Sequence, residues 1–241
     1  MNWGICKILR CIAIVSRSKY LVSRGKFDYD GSMDFKRIKG VTFFGFAGCD
    51  ANDPLYYEAF EAAKMCAEQG IEVINGGGPG VMRAATEGAH AGGGKVTVAT
   101  FYPKFINHFE GKDPLNRADK EIILDNYLER TMKLLDLGNV YVVFNGGTGT
   151  LSEFGMAWGL AYLYYGHHKP MILYGAFWHE IMEKLVANMM IAQQRPESLK
   201  VYKIVTSKEA LLRALEEYEE FLETKPYDHP VIETGEGAFV N

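Results

Sequence analysis

Twice in this chain an apolar run breaks into glycines and then gives way to a helical pattern, and that arrangement limits the fold more than any other feature. Residues 139–144 (Asn-Val-Tyr-Val-Val-Phe) run into Asn145-Gly146-Gly147-Thr148-Gly149-Thr150 and then a long apolar-periodic segment. Ile71–Asn75 runs into Gly76-Gly77-Gly78-Pro79-Gly80 and a periodic segment over Val81–Ala91. β-branched and aromatic runs that end this way read as buried strand, tight turn and helix start. Glycine lets the backbone turn sharply and come close to a ligand. The N–H groups and positive dipole end of the following helix favour an anion there.

The same alternation extends through the chain. Strands are expected at Val41–Phe46, Lys95–Ala99, Glu121–Leu124, Lys169–Tyr174 and Val201–Val205. Helices are expected at Pro54–Gln69, behind an Asp53 N-cap, and at Asn126–Leu137, Phe177–Gln193 and Ser207–Glu223. Continuous apolar strands alternating with helices specify an α/β fold. The expected form is a Rossmann-like three-layer sandwich, with a mostly parallel sheet and helices on both faces. Ligands in such sheets bind beyond the strand C-termini. Both glycine loops therefore fall on one edge and could share a ligand.

Residues 41–224 form the expected domain. Residues 1–40 differ from it: Ile12-Ala13-Ile14-Val15 is closely flanked by Lys7, Arg10, Arg17 and Lys19, which does not fit a secretory signal. This stretch reads as an N-terminal extension, and residues 1–32 as either a disordered segment or an over-extended start. Residues 101–119, with Pro103, Gly111 and Pro114, read as a long loop, and loops of that length are usually functional or mobile. Residues 225–241 read as a loose tail.

Composition narrows the function classes. The chain has 241 residues, is 48% hydrophobic, and carries 26 Lys and Arg against 30 Asp and Glu, a net charge of −4. That balance does not suggest nucleic acid or a membrane surface as partner. No apolar run approaches the ~20 residues of a membrane-spanning helix. Cys6, Cys11, Cys49 and Cys66 form no C-x-x-C pair and no metal-ligand spacing, which fits structural thiols in a reducing, cytoplasmic setting.

Neither glycine loop is a Walker A loop or a G-x-G-x-x-G dinucleotide loop. Glu153 has two readings. It closes a Thr150-Leu151-Ser152-Glu153 capping box, bonding back to the helix start; or it is a carboxylate beside a phosphate seat, suited to stabilising an oxocarbenium ion as a glycosidic bond breaks. On the 126–137 helix, Glu129, Lys133 and Asp136 share a polar arc at about 100° per residue. Arg130 falls between Leu134 and Leu137, at the margin of the apolar face, where it either snorkels to solvent or reaches a ligand. His167, His168 and His179 have no metal or triad spacing and read as surface or interface residues. Ser152, the only serine near the glycine loop, lacks a G-x-S-x-G turn.

These residues resemble the motifs of the LOG (Lonely Guy) family, long mislabelled as lysine decarboxylases. The family's Pro-Gly-Gly-x-Gly-Thr-x-x-Glu stands here as Asn145 to Glu153. Its G-G-G-P-G-[IV]-M stands as Gly76 to Met82, and its helix arginine as Arg130. The resemblance spans roughly residues 41–215. Departures are Asn145 for proline, Thr131 for lysine, Arg83 where relatives often carry Glu, and Phe46 and Gly48 in a strand end that often reads Phe-Gly-Ser-Ala-Arg. The resemblance implies a homodimer that hydrolyses a nucleoside 5′-monophosphate, AMP-like in character, to free base and ribose 5-phosphate, without metal or cofactor. It implies that Gly146, Gly147, Thr148, Gly149 and Thr150 hold the phosphate. Gly76, Gly77, Gly78, Gly80 and Met82 would shape the ribose-phosphate pocket, and Glu153 and Arg130 would act in catalysis. The alternative is a carrier that binds a nucleotide or nucleotide-like cofactor without turnover. Trp158, Tyr162 and Tyr164 read either as exposed aromatics of a helix-mediated dimer face or as the buried helix of a monomer.

Overall fold

A computed structural model describes residues 34–104, 112–188 and 201–226. Its sheet has seven strands: β1 (Gly40–Phe44), β2 (Glu72–Asn75), β3 (Val96–Phe101), β4 (Lys120–Leu124), β5 (Val140–Val143), β6 (Met171–Tyr174) and β7 (Tyr202–Val205). Among the described residues, six helices lie between and after them: α1 (Pro54–Glu68), α2 (Val81–Ala91), α3 (Tyr127–Leu137), α4 (Thr148–Leu163), α5 (Phe177–Asn188) and α6 (Lys208–Thr224). The strand order is β4-β3-β2-β1-β5-β6-β7, and each pairing is parallel. The chain winds outward from β1 to β4, then returns to the other side of β1. The strand order reverses between β1 and β5, and sheets of this kind take their ligands beyond the C-terminal edge at such a reversal.

Alternating side chains on the strands build the two outer layers. Val41, Phe43, Val142, Phe144 and Ile172 pack against α1, α2 and α6. Phe44, Tyr141, Val143, Met171 and Leu173 pack on the other face against α3, α4 and α5. This is why the strands read as unbroken apolar runs: both faces are covered. Three helices start where the sequence predicts. Asp53 Oδ1 accepts the Leu55 N–H at 2.9 Å, Asn126 Oδ1 accepts the Glu129 N–H at 3.0 Å, and Ser207 Oγ accepts the Ala210 N–H at 3.2 Å.

The structure extends the domain to residues assigned by sequence to the N-terminal extension. Phe35 and Ile38 are buried in the core. Buried Glu219 on α6 accepts three backbone N–H groups, from Lys36 at 2.6 Å, Arg37 at 2.6 Å and Ile38 at 2.8 Å. The expectations for residues 1–33, and for the tail from 227, lie outside the described residues.

Two sequence expectations are corrected. His168 is not a surface residue: it is buried, stacked on Tyr165 and packed against Phe221. Burial pushes its imidazole down to about 4, helped by the charges of Lys225 and His167. Trp158 is not an exposed aromatic either; it stacks on Phe154 inside the core and meets Tyr202 edge-on. No helix among the described residues is long and apolar enough to cross a membrane.

Candidate functional site

The two glycine loops flank the end of β1, one after β2 and one after β5, but they are built differently. The 76–80 loop is closed on itself. Gly76, Gly77, Gly78 and Gly80 are buried. Asn75 Oδ1 accepts the Gly77 N–H at 2.8 Å and the Asn116 amide at 3.2 Å, while the Gly78 carbonyl accepts the same amide at 2.9 Å. The Gly77 carbonyl accepts the Asp113 N–H at 2.9 Å. The helix start behind this loop is also occupied, because the Val81 N–H donates to the Phe46 carbonyl at 2.9 Å. Gly80, at φ 64°, needs its missing side chain: a Cβ would lie 2.2 Å from that carbonyl oxygen.

The 145–149 loop is open. Residues 145 to 149 are all exposed, and the N-cap of α4 is Gly147, which carries no side chain to cap the first turn. The first N–H groups of an α-helix have no partner within it, and Thr148, Gly149 and Thr150 form that first turn of α4, a position that in helices generally favours an anion. Thr150 is buried beneath Gly146, where a Cβ would meet its Oγ1 at 2.1 Å. Because α4 begins at Thr148, Thr150 is inside the helix rather than its cap. The capping-box reading of Glu153 therefore fails, and Glu153 has another partner.

That partner is Arg130. Its Nη1 donates to Glu153 Oε1 at 3.0 Å, with both side chains buried. From α3 the guanidinium also reaches the Ala99 carbonyl on β3, through Nε at 3.2 Å, and the Gly76 carbonyl after β2, through Nη2 at 3.5 Å. Met82 Sδ lies 4.0 Å from Nη2. Gly76 must lack a side chain for this to happen, since a Cβ would lie 1.7 Å from Nη2. Arg130 does not snorkel to solvent: its side chain is buried toward the strand ends, against protein groups. Burial pushes the Glu153 carboxyl above its ordinary range, and the positive charge and hydrogen bond of Arg130 offset part of that rise.

Arg130, Glu153, Gly76 and Met82 are thus in contact. Gly149 and Thr150 precede Glu153 by four and three residues on one helix, so all three share a face one turn, about 5.4 Å, apart. The polar groups of Gly77 and Gly78 engage the 112–119 segment instead. Sequence reasoning missed Tyr127. Its hydroxyl shares a 2.6 Å hydrogen bond with Ser152 Oγ and lies 3.5 Å from the Gly149 carbonyl. Its ring stands 5.8 Å from the Arg130 guanidinium carbon and meets Phe101 edge-on. The available signal was its spacing, three residues before Arg130 on the same helix face. Among the described residues, no three His, Cys, Asp or Glu side chains converge as metal ligands.

The chain is similar to several known proteins. A family model described as "Possible lysine decarboxylase" matches residues 82–215. A cytokinin riboside 5′-monophosphate phosphoribohydrolase of Mycobacterium tuberculosis is 34% identical over 122 residues, half of this chain and 63% of that protein. An uncharacterised protein of Archaeoglobus fulgidus is 30% identical over 122 residues, 74% of its length. Among solved structures, the molybdenum cofactor binding protein of Rippkaea orientalis superposes with a TM-score of 0.54 at 21% identity, covering 76% of this chain and 98% of that one. That last likeness speaks to the fold alone.

Proposed function

Because this chain belongs to the LOG family, the family described as possible lysine decarboxylases, we propose that it hydrolyses the N-glycosidic bond of a nucleoside 5′-monophosphate. The observation that carries the reading is the buried Arg130–Glu153 pair, held one helical turn beyond an uncapped N-terminus at the sheet's reversal point. The 5′-phosphate takes the N–H groups at Thr148, Gly149 and Thr150. Its ribose then lies about one turn along α4, facing Glu153.

The carboxylate of Glu153 stabilises positive charge at C1′ as the glycosidic bond lengthens, and orients water toward that carbon. The water oxygen bonds to C1′, the electron pair of the C1′–N bond leaves with the base, and a proton from the water ends on the base. The products are free base and ribose 5-phosphate. Arg130 holds Glu153 in place and, through Ala99 and Gly76, fixes it to the strand ends. The phosphoribohydrolase name of the M. tuberculosis relative supports this reaction class.

A binding protein without turnover is the second reading. It is favoured by the same pair, since Glu153 is only 6% exposed and one of its oxygens already bonds Arg130. Incubation with AMP, CMP, GMP and UMP, followed by chromatography, separates the two. Release of free base supports the hydrolase; nucleotide binding with no release from any of the four supports the carrier.

The reading includes a homodimer across the outer face of α4. Leu151 and Leu163 on α4 and Leu128 on α3 are exposed, and Gly155 and Gly159 have open space above them. An apolar face of this kind fits a second copy better than solvent. Sedimentation should give a dimer, and Leu128→Glu with Leu163→Glu should give a monomer. A wild-type monomer across the micromolar range overturns this part.

A further inference from the structure

Phe46 is a large, exposed apolar residue just beyond the end of β1, beside the reversal point. The residue is 45% exposed. Its backbone is fixed on both sides: the N–H donates to the Asn145 carbonyl at 2.8 Å, and the carbonyl accepts the Val81 N–H at 2.9 Å. These bonds tie it to one glycine loop and to the helix start behind the other. They fix the position of its Cα, the point from which the ring projects.

The direction of the ring follows from its neighbours. A Cβ on Gly45 would lie 2.5–2.8 Å from the Val81 side chain, so position 45 looks toward α2. Side chains alternate along extended backbone. Phe44 accordingly belongs to the opposite layer, with α3 and α4, and Phe46 shares its parity. That is the layer carrying Arg130 and Glu153. Gly48 supplies the bed for the ring, since a Cβ there would come within 2.6 Å of it. Gly45, Ala47 and Gly48 offer no side-chain donor or acceptor.

We propose that the Phe46 ring is the stacking face for the ligand's planar heteroaromatic group, so that this site ranks nucleotides by ring area rather than by the hydrogen-bonding edge of the base. The inference rests on the nucleotide reading above. A half-exposed aromatic ring on an apolar bed binds any planar base, because every base has a π-face, and each such stack contributes roughly 1–3 kcal/mol by alanine substitution. The purines AMP and GMP should therefore bind alike, and more tightly than CMP and UMP.

The test is calorimetric binding of AMP, GMP, CMP, UMP and ribose 5-phosphate to the wild type, Phe46→Ala and Phe46→Leu, with base release measured in parallel. Phe46→Ala should weaken AMP and GMP roughly 5- to 150-fold, remove most of the purine preference, and leave ribose 5-phosphate unchanged. Phe46→Leu, which keeps bulk without a π-face, should fall between. Equal weakening of AMP and ribose 5-phosphate, or no change for AMP, overturns the inference even if base is released. Ring-dependent AMP affinity without base release supports it and instead overturns the hydrolase reading.

Discussion

The two glycine loops carry the same sequence signal and do opposite work. In the 76–80 loop the backbone groups are consumed internally by Asn75, Asn116, Asp113 and Phe46, and the glycines exist to let chains and a guanidinium come close. In the 145–149 loop the residues are exposed and the helix start is uncapped. A glycine run after a strand therefore says only that something must approach the backbone there. Whether that something is the protein itself or a ligand is decided by what surrounds it. Here the closed loop serves the open one, because Gly76 leaves the space through which Arg130 reaches Glu153.

The largest expected effect tests the open side. Glu153→Gln keeps an acceptor for Arg130 but removes the charge, and turnover per folded molecule should fall on the order of 10²-fold or more. Thermal unfolding must be measured alongside, since leaving Arg130 without its counter-ion also destabilises the fold. If the folded fraction keeps wild-type turnover, the pair is only structural. The same carboxylate sets a pH dependence. Its raised pKa means that ionised Glu153 forms only above the ordinary carboxylate range. The acid limb of kcat should therefore lie above pH 4.5, activity rising with pH, and the limb should vanish in Glu153→Gln.

Gly80→Ala probes the closed side. With φ at 64° and the Phe46 oxygen 2.2 Å from the new Cβ, a loss of about 3 kcal/mol of stability is expected in denaturant unfolding. Retained stability would show that the loop is not closed. A smaller effect comes from Tyr127→Phe, which deletes the 2.6 Å bond to Ser152. About 1 kcal/mol of stability should be lost, with a several-fold fall in kcat as α3 and α4 loosen around Arg130. The smallest change is Gly149→Ala, whose Cβ would have its nearest neighbour, the Tyr127 oxygen, at 3.9 Å. It should be neutral or stabilise the helix by ~0.5–1 kcal/mol. Destabilisation as large as that of Gly80→Ala would erase the contrast between the loops.

Most of the fold was legible because its strands and caps are local signals: apolar runs covered on both faces, and Asp53, Asn126 and Ser207 at helix starts. The start of α4 was ambiguous for a local reason too. Thr148 and Thr150 both resemble caps, and Thr150 with Glu153 has capping-box spacing, yet the helix begins behind Gly147. Arg130 was half legible, since its angular position put it at the apolar margin while its partner sits 23 residues away. His168 was not legible. A histidine in a turn looks solvated until Tyr165 and Phe221 close over it.

The link from Glu219 to Lys36, Arg37 and Ile38 spans more than 180 residues, and it bears on how the chain is completed during synthesis. The lead-in to β1, the strand at the centre of the sheet, leaves the ribosome long before α6 but finds its carboxylate acceptor only when α6 has emerged. Until then three backbone donors beside the nascent core have only water. Sealing the domain is thus deferred to nearly the last helix, and a chain halted before residue 219 would hold its sheet with the opening segment unlatched.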